Sequence, residues 1–372
     1  MDDATKELQK SLKELSETYK SISKTEFVKS GSVVLDALLG GGIPKGVFIL
    51  WSAANGCGKS TGALHVSRSY CLQGKRVLYL DVEGGVNDSQ IDGMGLREFL
   101  WDENTNPDGL FYCFRIHTYK DAEKVLDKIM TQMDLVVFDS TTSIITEKQK
   151  ESSSEDVLPG IDARVMSVFL KRYKADAVRN DVSWILINQM RTKIAMSYGQ
   201  VTHDEEAGGN ALKHYVDIRL VSKKDFKGDL TRKERTASGE QDVPYGAICS
   251  TWAEKNRYAR PKVPLKLAII FGKGISNDYA YSEWLLTNGI VKKSGAWFTI
   301  KLGDIDTKVQ GIGKVIDWIK QNKELVKTYI NSNGGYKLLL DSADAVDLVS
   351  DDMDVVQMDE NTLESSVVDD EQ

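Results

Sequence analysis

The stretch from Val47 to Gly62 constrains the fold more than any other part of this sequence. It reads VFILWSAANGCGKSTG, an apolar run that passes into a loop of small residues and then into Gly-Lys-Ser-Thr. The apolar run predicts a buried parallel strand, and the residues from Thr61 to about Gln73 predict a helix. A strand, a loop without bulky side chains and a helix amino terminus together form the setting of a phosphate-binding P-loop.

The chemistry of this loop suits a nucleoside triphosphate with Mg²⁺. Small residues let backbone N–H groups approach phosphate oxygens, Lys59 brings a positive charge to the β- and γ-phosphates, and the Ser60 hydroxyl is a hard oxygen ligand for Mg²⁺. Ala53 departs from the pattern G-x-x-x-x-G-K-[ST], because it stands at the first glycine. A chance Gly-Lys-Ser in a turn is the alternative, which the flanking strand and helix disfavour. The candidate nucleotide-binding residues are Ala53, Ala54, Asn55, Gly56, Cys57, Gly58, Lys59, Ser60 and Thr61.

Further apolar runs predict three more parallel strands, at Arg76–Glu83, Leu135–Ser140 and Ser183–Gln189. Because these runs alternate with helical stretches, they predict an α/β fold with a mostly parallel central sheet flanked by helices. Ligands of such sheets bind at the carboxyl ends of the strands. We therefore expect Glu83, Asp139 and Gln189 to converge with the P-loop on one site.

The remaining segments predict an amino-terminal arm and an antiparallel extension of the sheet. Residues 4–20 form an amphipathic helical pattern whose apolar stripe must cover its own core or a neighbour, and Phe27–Leu35 has the character of an edge or inter-subunit strand. Residues 223–241 are charged and predict an exposed hairpin between antiparallel strands. Those strands are predicted at Asp217–Ser222, Ala247–Glu254 and Leu265–Phe271.

Two polar segments, residues 147–160 and 190–210, fit neither a helical nor a strand pattern. Long loops at strand ends are typically functional or disordered. The second segment mixes basic with apolar and aromatic residues, a composition that suits contact with a nucleic-acid backbone and its bases. A flexible surface loop is the alternative interpretation.

Composition and cysteine spacing indicate an ordinary globular chain. The 372 residues are 41% hydrophobic and 28% charged, and no apolar run reaches the length of a membrane span. The amino terminus lacks a signal-peptide core, so we expect a cytoplasmic protein. The four cysteines have no metal-ligand spacing and predict isolated reduced thiols, although Cys57 is a candidate for redox sensitivity because it lies inside the P-loop. They are Cys57, Cys71, Cys113 and Cys249.

The net charge of −7 is distributed unevenly along the chain. Residues 341–372 contain 12 acidic residues and no Lys or Arg, so the preceding 340 residues carry a net charge of +5. We expect the last 32 residues to form a disordered acidic tail on a mildly basic body.

With these motifs identified, the chain from about Val28 to Leu325 resembles the RecA-type recombinases, close to bacterial RecA and phage UvsX. The P-loop alone is weakly specific, whereas Asn-Gln-x-Arg followed some twenty residues later by Gly-Gly-Asn-Ala-Leu-Lys is highly specific. The matching stretches are Gly58–Thr61, Asp81–Glu83, the strand ending at Asp139, Ile187–Arg191, Gly208–Lys213, Lys255–Arg257 and Phe271–Ile275.

The resemblance implies roles for individual residues in ATP hydrolysis. Glu83 matches the glutamate that activates water, and Gln189 matches the glutamine that senses the γ-phosphate and links it to DNA. Lys255 and Arg257 match two lysines that reach the ATP of the neighbouring subunit. Lys59 and Ser60 bind phosphates and Mg²⁺, and Asp139 supports the metal. Gln90 replaces an adenine-stacking tyrosine, so base stacking falls to Phe271 or weakens, and His214 replaces a phenylalanine that couples subunits.

The resemblance also assigns DNA-binding loops to residues 147–160 and 190–207. The apolar wedge of the first loop aligns near Leu158 or Pro159. The residues that match family DNA contacts are Arg164, Ser167, Lys171, Arg191, Lys193, Ile194, Gly208, Gly209 and Asn210.

The sequence thus predicts a DNA-dependent ATPase that polymerises on single-stranded DNA and promotes homologous pairing and strand exchange, with double-stranded DNA, loader proteins and single-stranded-DNA-binding proteins as further partners. A phage origin is plausible from the divergence. Two alternatives are a hexameric helicase, which should lack the Gly-Gly-Asn-Ala-Leu-Lys element and the arm, and a non-enzymatic ATP-binding scaffold, which should lack Glu83.

The predicted parts are residues 1–35 (arm), 36–280 (ATPase core), 281–340 (small α/β domain) and 341–372 (tail).

Overall fold

A computed structural model of the chain describes residues 3–18, 24–151, 161–193, 203–206, 209–236 and 239–336. Within these ranges the helices are α1 (Asp3–Thr18), α2 (Val33–Leu38), α3 (Lys59–Leu72), α4 (Asp88–Gly93), α5 (Tyr119–Ile129), α6 (Glu147–Glu151), α7 (Ile161–Arg179), α8 (Gly209–Tyr215), α9 (Asn277–Thr287), α10 (Ile312–Gln321) and α11 (Lys323–Ser332). The strands are β1 (Phe27–Val28), β2 (Ile43–Pro44), β3 (Phe48–Ala53), β4 (Val77–Asp81), β5 (Phe111–Arg115), β6 (Leu135–Asp139), β7 (Ser183–Lys193), β8 (His203–Glu206), β9 (Ile218–Thr236), β10 (Gly239–Lys255), β11 (Leu265–Ile270), β12 (Gly274–Ile275), β13 (Val291–Ser294), β14 (Trp297–Leu302) and β15 (Ile305–Gln310).

The central sheet has the strand order β12-β11-β10-β9-β3-β7-β6-β4-β5, and β8 pairs with β7 beside this path. The neighbouring strands from β9 to β5 are parallel. The strands β10, β11 and β12 extend the sheet in antiparallel fashion. The predicted α/β class with a mostly parallel sheet is therefore confirmed.

Helices cover both faces of this sheet, so each parallel strand buries side chains in two apolar layers. Ile49 and Trp51 of β3 lie in one layer, which also contains residues of α3. Phe48 and Leu50 lie in the other layer with Phe169 of α7. Strands that are buried on both faces are apolar throughout instead of alternating with polar residues. This burial explains why the parallel strands are recognisable as continuous apolar runs.

The amino-terminal segment differs from the predicted strand. Only Phe27–Val28 is a strand, and it pairs antiparallel with Ile43–Pro44 of the same chain. Val33–Leu38 is helical, because the Ser32 hydroxyl accepts a hydrogen bond from the Leu35 backbone N–H at 3.3 Å and caps the first turn. The strand prediction for residues 33–35 is therefore wrong, since this cap and the burial of Leu35 outweigh the strand preference of Val33 and Val34.

The apolar stripe of α1 faces solvent in the single chain. Leu8, Leu12 and Leu15 are 59%, 53% and 51% exposed. Within the described residues the stripe therefore does not cover the core of its own chain. Contact with a neighbour is the other predicted role. None of the helices in those ranges combines the length and the apolar composition that crossing a membrane requires.

Both polar segments acquire regular structure where they are described. The strand β7 continues past Gln189 to Lys193 and pairs antiparallel with β8. Residues Glu147–Glu151 form α6, which Thr146 and Gln149 cap reciprocally, with the Gln149 backbone N–H donating to the Thr146 hydroxyl at 3.2 Å. The expectation that these residues fit neither a helix nor a strand is wrong there. Residues 152–160 lie outside the described residues.

The predicted exposed hairpin is confirmed, and it is longer than the flanking apolar strands suggest. The strands β9 and β10 remain paired as far as Thr236 and Gly239. Near the base of this extension Phe226 is 99% exposed.

The carboxyl-terminal part builds its own small core. The strands β13, β14 and β15 form a three-stranded antiparallel sheet that packs with α9, α10 and α11 around Trp284, Ile300 and Ile319. The expected domain boundary at 280/281 falls inside α9, so the division into separate domains stays a prediction. The acidic tail, residues 341–372, lies outside the described residues.

Candidate nucleotide site and nucleic-acid interface

A cavity of about 380 Å³ lies at the carboxyl edge of the parallel strands. It collects residues of the P-loop, of the segments that follow β4 and β11, of the end of β6 and of the middle of β7. Most of the side chains predicted to bind the nucleotide therefore meet there, as the topology of the sheet requires. The lining residues are Asn55, Gly56, Gly58, Lys59, Ser60, Thr61, Glu83, Asp139, Ile187, Gln189 and Phe271.

The P-loop backbone explains which positions need glycine. Gly56 and Gly58 have φ angles of 79° and 67°, in the left-handed region that favours glycine. A Cβ on Gly58 would also lie 2.6 Å from the Ile269 side chain. Ala53, in contrast, is the last residue of β3 and is buried, so its Cβ is accommodated where the sequence pattern has a glycine. Ala54 is exposed at the start of the loop.

Lys59 is the first residue of α3 and supplies a buried positive charge. Its ammonium group donates hydrogen bonds to the carbonyl oxygens of Ala53 at 2.9 Å and Ala54 at 3.0 Å. Burial lowers the pKa of this ammonium, and the negative charges of Cys57 and Asp139 oppose that shift. An ammonium group held by neutral carbonyls leaves its charge available for a phosphate.

Asp139 presents a carboxylate oxygen that suits a Mg²⁺ ion. The Tyr79 hydroxyl donates to Asp139 Oδ2 at 2.6 Å, whereas the buried Oδ1 has no hydrogen-bond partner among the described residues. Burial raises the pKa of this carboxyl, and the hydrogen bond from Tyr79 lowers it. Mg²⁺ in nucleotide sites is held by one or two protein oxygens together with substrate phosphates. Ser60 and Asp139 fit that requirement.

Glu83 is held by a set of converging donors. Its Oε1 atom accepts hydrogen bonds from Gln189 Nε2 at 3.0 Å, from Ser143 Oγ at 3.1 Å and from Ser140 Oγ. Sequence reasoning did not single out Ser140 and Ser143 as residues of the site. The available signal was the position of Ser140 directly after Asp139, but no motif connects such a hydroxyl to Glu83.

The two candidates for adenine contact differ in position. Phe271 follows β11, lines the cavity and is 42% exposed. Gln90 lies in α4 and is not among the described residues that line the cavity. The expectation that base stacking falls to Phe271 stays a prediction, and the geometry favours it.

Lys255 and Arg257 do not join the cavity of their own chain. Lys255 ends β10 and pairs with Arg219, which lies opposite Leu50 in the sheet. Leu50 is three residues before the end of β3, which corresponds to about 10 Å along a strand. Lys255 thus lies about 10 Å along the sheet from the P-loop, toward the amino edge of the parallel strands.

Local contacts hold both basic side chains at that edge. The Lys255 ammonium donates to the Val216 carbonyl at 2.7 Å, and the Arg257 guanidinium lies 3.5 Å from the Asp217 carboxylate. Lys174 of α7 forms an ion pair with the other oxygen of Asp217, which also accepts from the Phe48 backbone N–H at 2.9 Å. Asp217 therefore positions the surrounding cations.

The predicted DNA contacts fall on two elements. Arg164 and Lys171 are exposed and Ser167 is half-buried on one face of α7, since their spacing of three and four residues follows the helix period. Arg191 and Lys193 lie in the part of β7 that pairs with β8. Gly209 and Asn210 begin α8, and Ile194 and Gly208 lie outside the described residues.

Comparison with known proteins identifies the family. A sequence model of the RecA N-terminal domain matches residues 4–276. The chromosomal RecA of Lactococcus lactis subsp. lactis (strain IL1403) is 28% identical over 334 residues, which cover 88% of this chain and 80% of that protein. The RecA of Arthrospira platensis is 28% identical over 352 residues, covering 92% and 89%. A crystal structure of the RadB recombinase, 23% identical, covers 67% of this chain and 98% of its own with a TM-score of 0.46. Because the RecA domain extends over most of its length, this chain belongs to the RecA family of recombinases.

Proposed function

We propose that this protein is a DNA-dependent ATPase that assembles as a helical filament on single-stranded DNA and promotes homologous pairing and strand exchange. The observation that carries the proposal is the hydrogen bond between Gln189 and Glu83. Gln189 lies in β7, which continues directly into the segment that contains Arg191 and Lys193. One rigid strand thus joins the proposed hydrolytic base to a predicted DNA-binding segment.

The residues around the cavity have complementary roles in hydrolysis of a triphosphate. The P-loop backbone and the Lys59 ammonium bind the phosphates, and the Glu83 carboxylate accepts a proton from the attacking water. Mg²⁺, held by Ser60 and Asp139, neutralises phosphate charge when bound. Ser140, Ser143 and Gln189 orient Glu83 through the hydrogen bonds to its Oε1 atom.

Completion of the site in trans follows from the two edges of the sheet. Lys255 and Arg257 lie too far along the sheet to reach the cavity of their own chain, so the nucleotide they serve belongs to a neighbouring subunit. The exposed leucines of α1 provide an apolar stripe for contact with that neighbour. These features favour an assembly in which each subunit meets the next head to tail.

Electron microscopy of the full-length protein with single-stranded DNA and ATP tests this function. We expect helical filaments that form with ATP and disappear after exchange to ADP-containing buffer, together with strand exchange between homologous duplex and single-stranded DNA. Closed rings that unwind duplex DNA would instead support the helicase alternative. ATP binding without DNA-stimulated turnover would support the scaffold alternative.

A further inference from the structure

Two cysteines that are far apart in sequence are neighbours in the structure: Cys57 of the P-loop and Cys249 of β10. Cys57 and Cys249 share a buried cluster with Ala53 and Ala247, and the Cys249 Sγ atom lies 3.8 Å from the Cys57 carbonyl oxygen. All four cysteines of the chain are free thiols. The prediction of isolated thiols is nevertheless wrong for this pair, because β10 brings Cys249 against the loop.

We propose that Cys57 and Cys249 form an oxidant-sensitive dithiol, which closes reversibly into a disulfide and thereby weakens nucleotide binding. The inference rests on the proposed role of the P-loop as the nucleotide site. Cys57 lies between two loop residues that line the cavity, Gly56 and Gly58. Cys249 lies inside β10, which is paired on both sides. A covalent bond between them would fix the phosphate-binding loop to a strand of the central sheet.

The surroundings of the pair favour reaction at Cys57. The neighbouring Cys249 thiol lowers the pKa of Cys57, and the positive charge of Lys59 acts in the same direction against the effect of burial. Burial instead raises the pKa values of Cys71 and Cys113 to about 12. The thiolate is the nucleophilic form of cysteine, so Cys57 is the attacking sulfur and Cys249 the resolving one.

Hydrogen peroxide supplies the oxidising equivalents, and the reaction balances in two steps. The Cys57 thiolate attacks one peroxide oxygen, the O–O bond breaks, and hydroxide leaves and is protonated to water while a sulfenic acid forms. The Cys249 sulfur then attacks the sulfenic sulfur, the S–O bond breaks, and a second water leaves with the thiol proton. The two thiols lose two electrons in total, and peroxide is reduced to two waters.

The loop controls access to the pair. Cys57 and Cys249 are 1% and 0% exposed, whereas Ala54, Asn55 and Gly56 above them are exposed. Space is open around Gly56, and glycine on both sides of Cys57 lets the loop rotate away from β10. A bound nucleotide holds the loop through its backbone N–H groups, so we expect nucleotide to protect the dithiol.

Disulfide formation should disturb the phosphate-binding backbone. The bond brings two non-bonded sulfurs to about 2 Å, which pulls the loop toward β10. In a preorganised site a displacement of about 1 Å can cost up to about 10²-fold in reaction rate, and backbone donors to a phosphate depend on their positions in the same way. We therefore expect nucleotide affinity to fall by about 10- to 10²-fold on oxidation and to recover on reduction.

Peptide mapping of the full-length protein after treatment with hydrogen peroxide tests the proposal directly. In nucleotide-free protein, mass spectrometry should detect a peptide pair linked through Cys57 and Cys249, which dithiothreitol separates. The presence of ATP and Mg²⁺ during oxidation should suppress the link. A fluorescent ATP analogue measures affinity before oxidation, after oxidation and after reduction.

Variants separate the dithiol from general oxidation damage. Cys249→Ala keeps the small apolar cluster and should abolish both the linked peptide and the loss of affinity that dithiothreitol reverses, and Cys249→Ser provides a second replacement if alanine impairs folding. Cys113→Ser removes a cysteine outside the cluster and should behave as wild type. Absence of the linked peptide in oxidised wild-type protein, or reversible inactivation of both Cys249 variants, would overturn the proposal. The mapping does not depend on ATPase or DNA binding, so it decides the dithiol even if the proposed function fails.

Discussion

Replacing Glu83 by glutamine removes the proposed base while keeping a hydrogen-bond acceptor of nearly the same shape at its position. The Glu83 Oε1 atom accepts from Gln189, Ser143 and Ser140. The amide oxygen of glutamine carries two lone pairs, so it can accept from two of these donors, while the Ser140 and Ser143 hydroxyls, 3.1 Å apart, can also bond to each other. We therefore expect Glu83→Gln to keep the fold and to bind ATP and DNA nearly as the wild type does.

The expected loss is confined to turnover. General base catalysis contributes roughly 10²- to 10⁴-fold, which corresponds to about 2.7–5.4 kcal/mol of activation free energy. We expect the rate of ATP hydrolysis on single-stranded DNA to fall by about 10²-fold or more. Phosphate release measures that rate, while titration with a fluorescent ATP analogue measures the dissociation constant separately.

A matched control tests whether loss of a negative charge away from the cavity also slows turnover. Glu103→Gln makes the same chemical change at an exposed glutamate that does not line the cavity, and should leave turnover unchanged. Wild-type turnover in Glu83→Gln would refute the role of Glu83 as base. A parallel loss of ATP affinity would show instead that Glu83 organises the site, because a pure base affects only the chemical step.

Three further predictions concern the assembly, the DNA and the tail. Mixing Arg257→Ala subunits with Glu83→Gln subunits should restore some ATPase activity, because an intact base and an intact arginine then meet at some interfaces. If the mixture is no more active than the sum of the separate variants, Arg257 acts in the site of its own chain. Arg191→Ala or Lys193→Ala should weaken binding to single-stranded DNA about equally across sequences. Each should also make the slope of log K against log salt concentration shallower by about 0.7, as binding titrations over a salt series measure. An unchanged slope would contradict this prediction. Deleting residues 341–372 changes the net charge from −7 to +5. The deletion should raise affinity for double-stranded DNA more than for single-stranded DNA and lower the Mg²⁺ concentration needed for pairing. If the duplex-binding curves of the full-length and truncated proteins superimpose across a Mg²⁺ series, the tail is passive.

The parallel half of the fold could be predicted because its physical causes are local. Strands buried on both faces must be apolar throughout, and a phosphate-binding loop needs its glycines and lysine at fixed spacing. The order of the strands then brings Glu83, Asp139 and Gln189 to the carboxyl edge. Sheet topology, and not the detail of each side chain, determines that convergence.

The parts that sequence reasoning missed depend on contacts between distant segments. The polar extension of β7 is a strand because β8 pairs with it, and residues Met190–Lys193 carry no strand pattern of their own. Cys57 and Cys249 are 192 positions apart, and only the insertion of β10 beside the P-loop makes them neighbours. The strand prediction for residues 33–35 is wrong for a different reason, since the Ser32 hydroxyl caps a helix that begins at Val33.

The position of Asp217 bears on the proposed in-trans arrangement. Arg257 and Lys174 share this carboxylate, so the cations at the amino edge of the sheet are partly neutralised within the isolated chain. A triphosphate carries more negative charge than one carboxylate and presents several oxygens to a guanidinium. Arg257 can therefore exchange its 3.5 Å contact with Asp217 for a neighbour's phosphates, and Asp217 keeps Lys174 as its partner after that exchange. In the proposed arrangement, assembly and nucleotide binding reinforce each other, because the nucleotide of one subunit supplies the better anion for the arginine of the next.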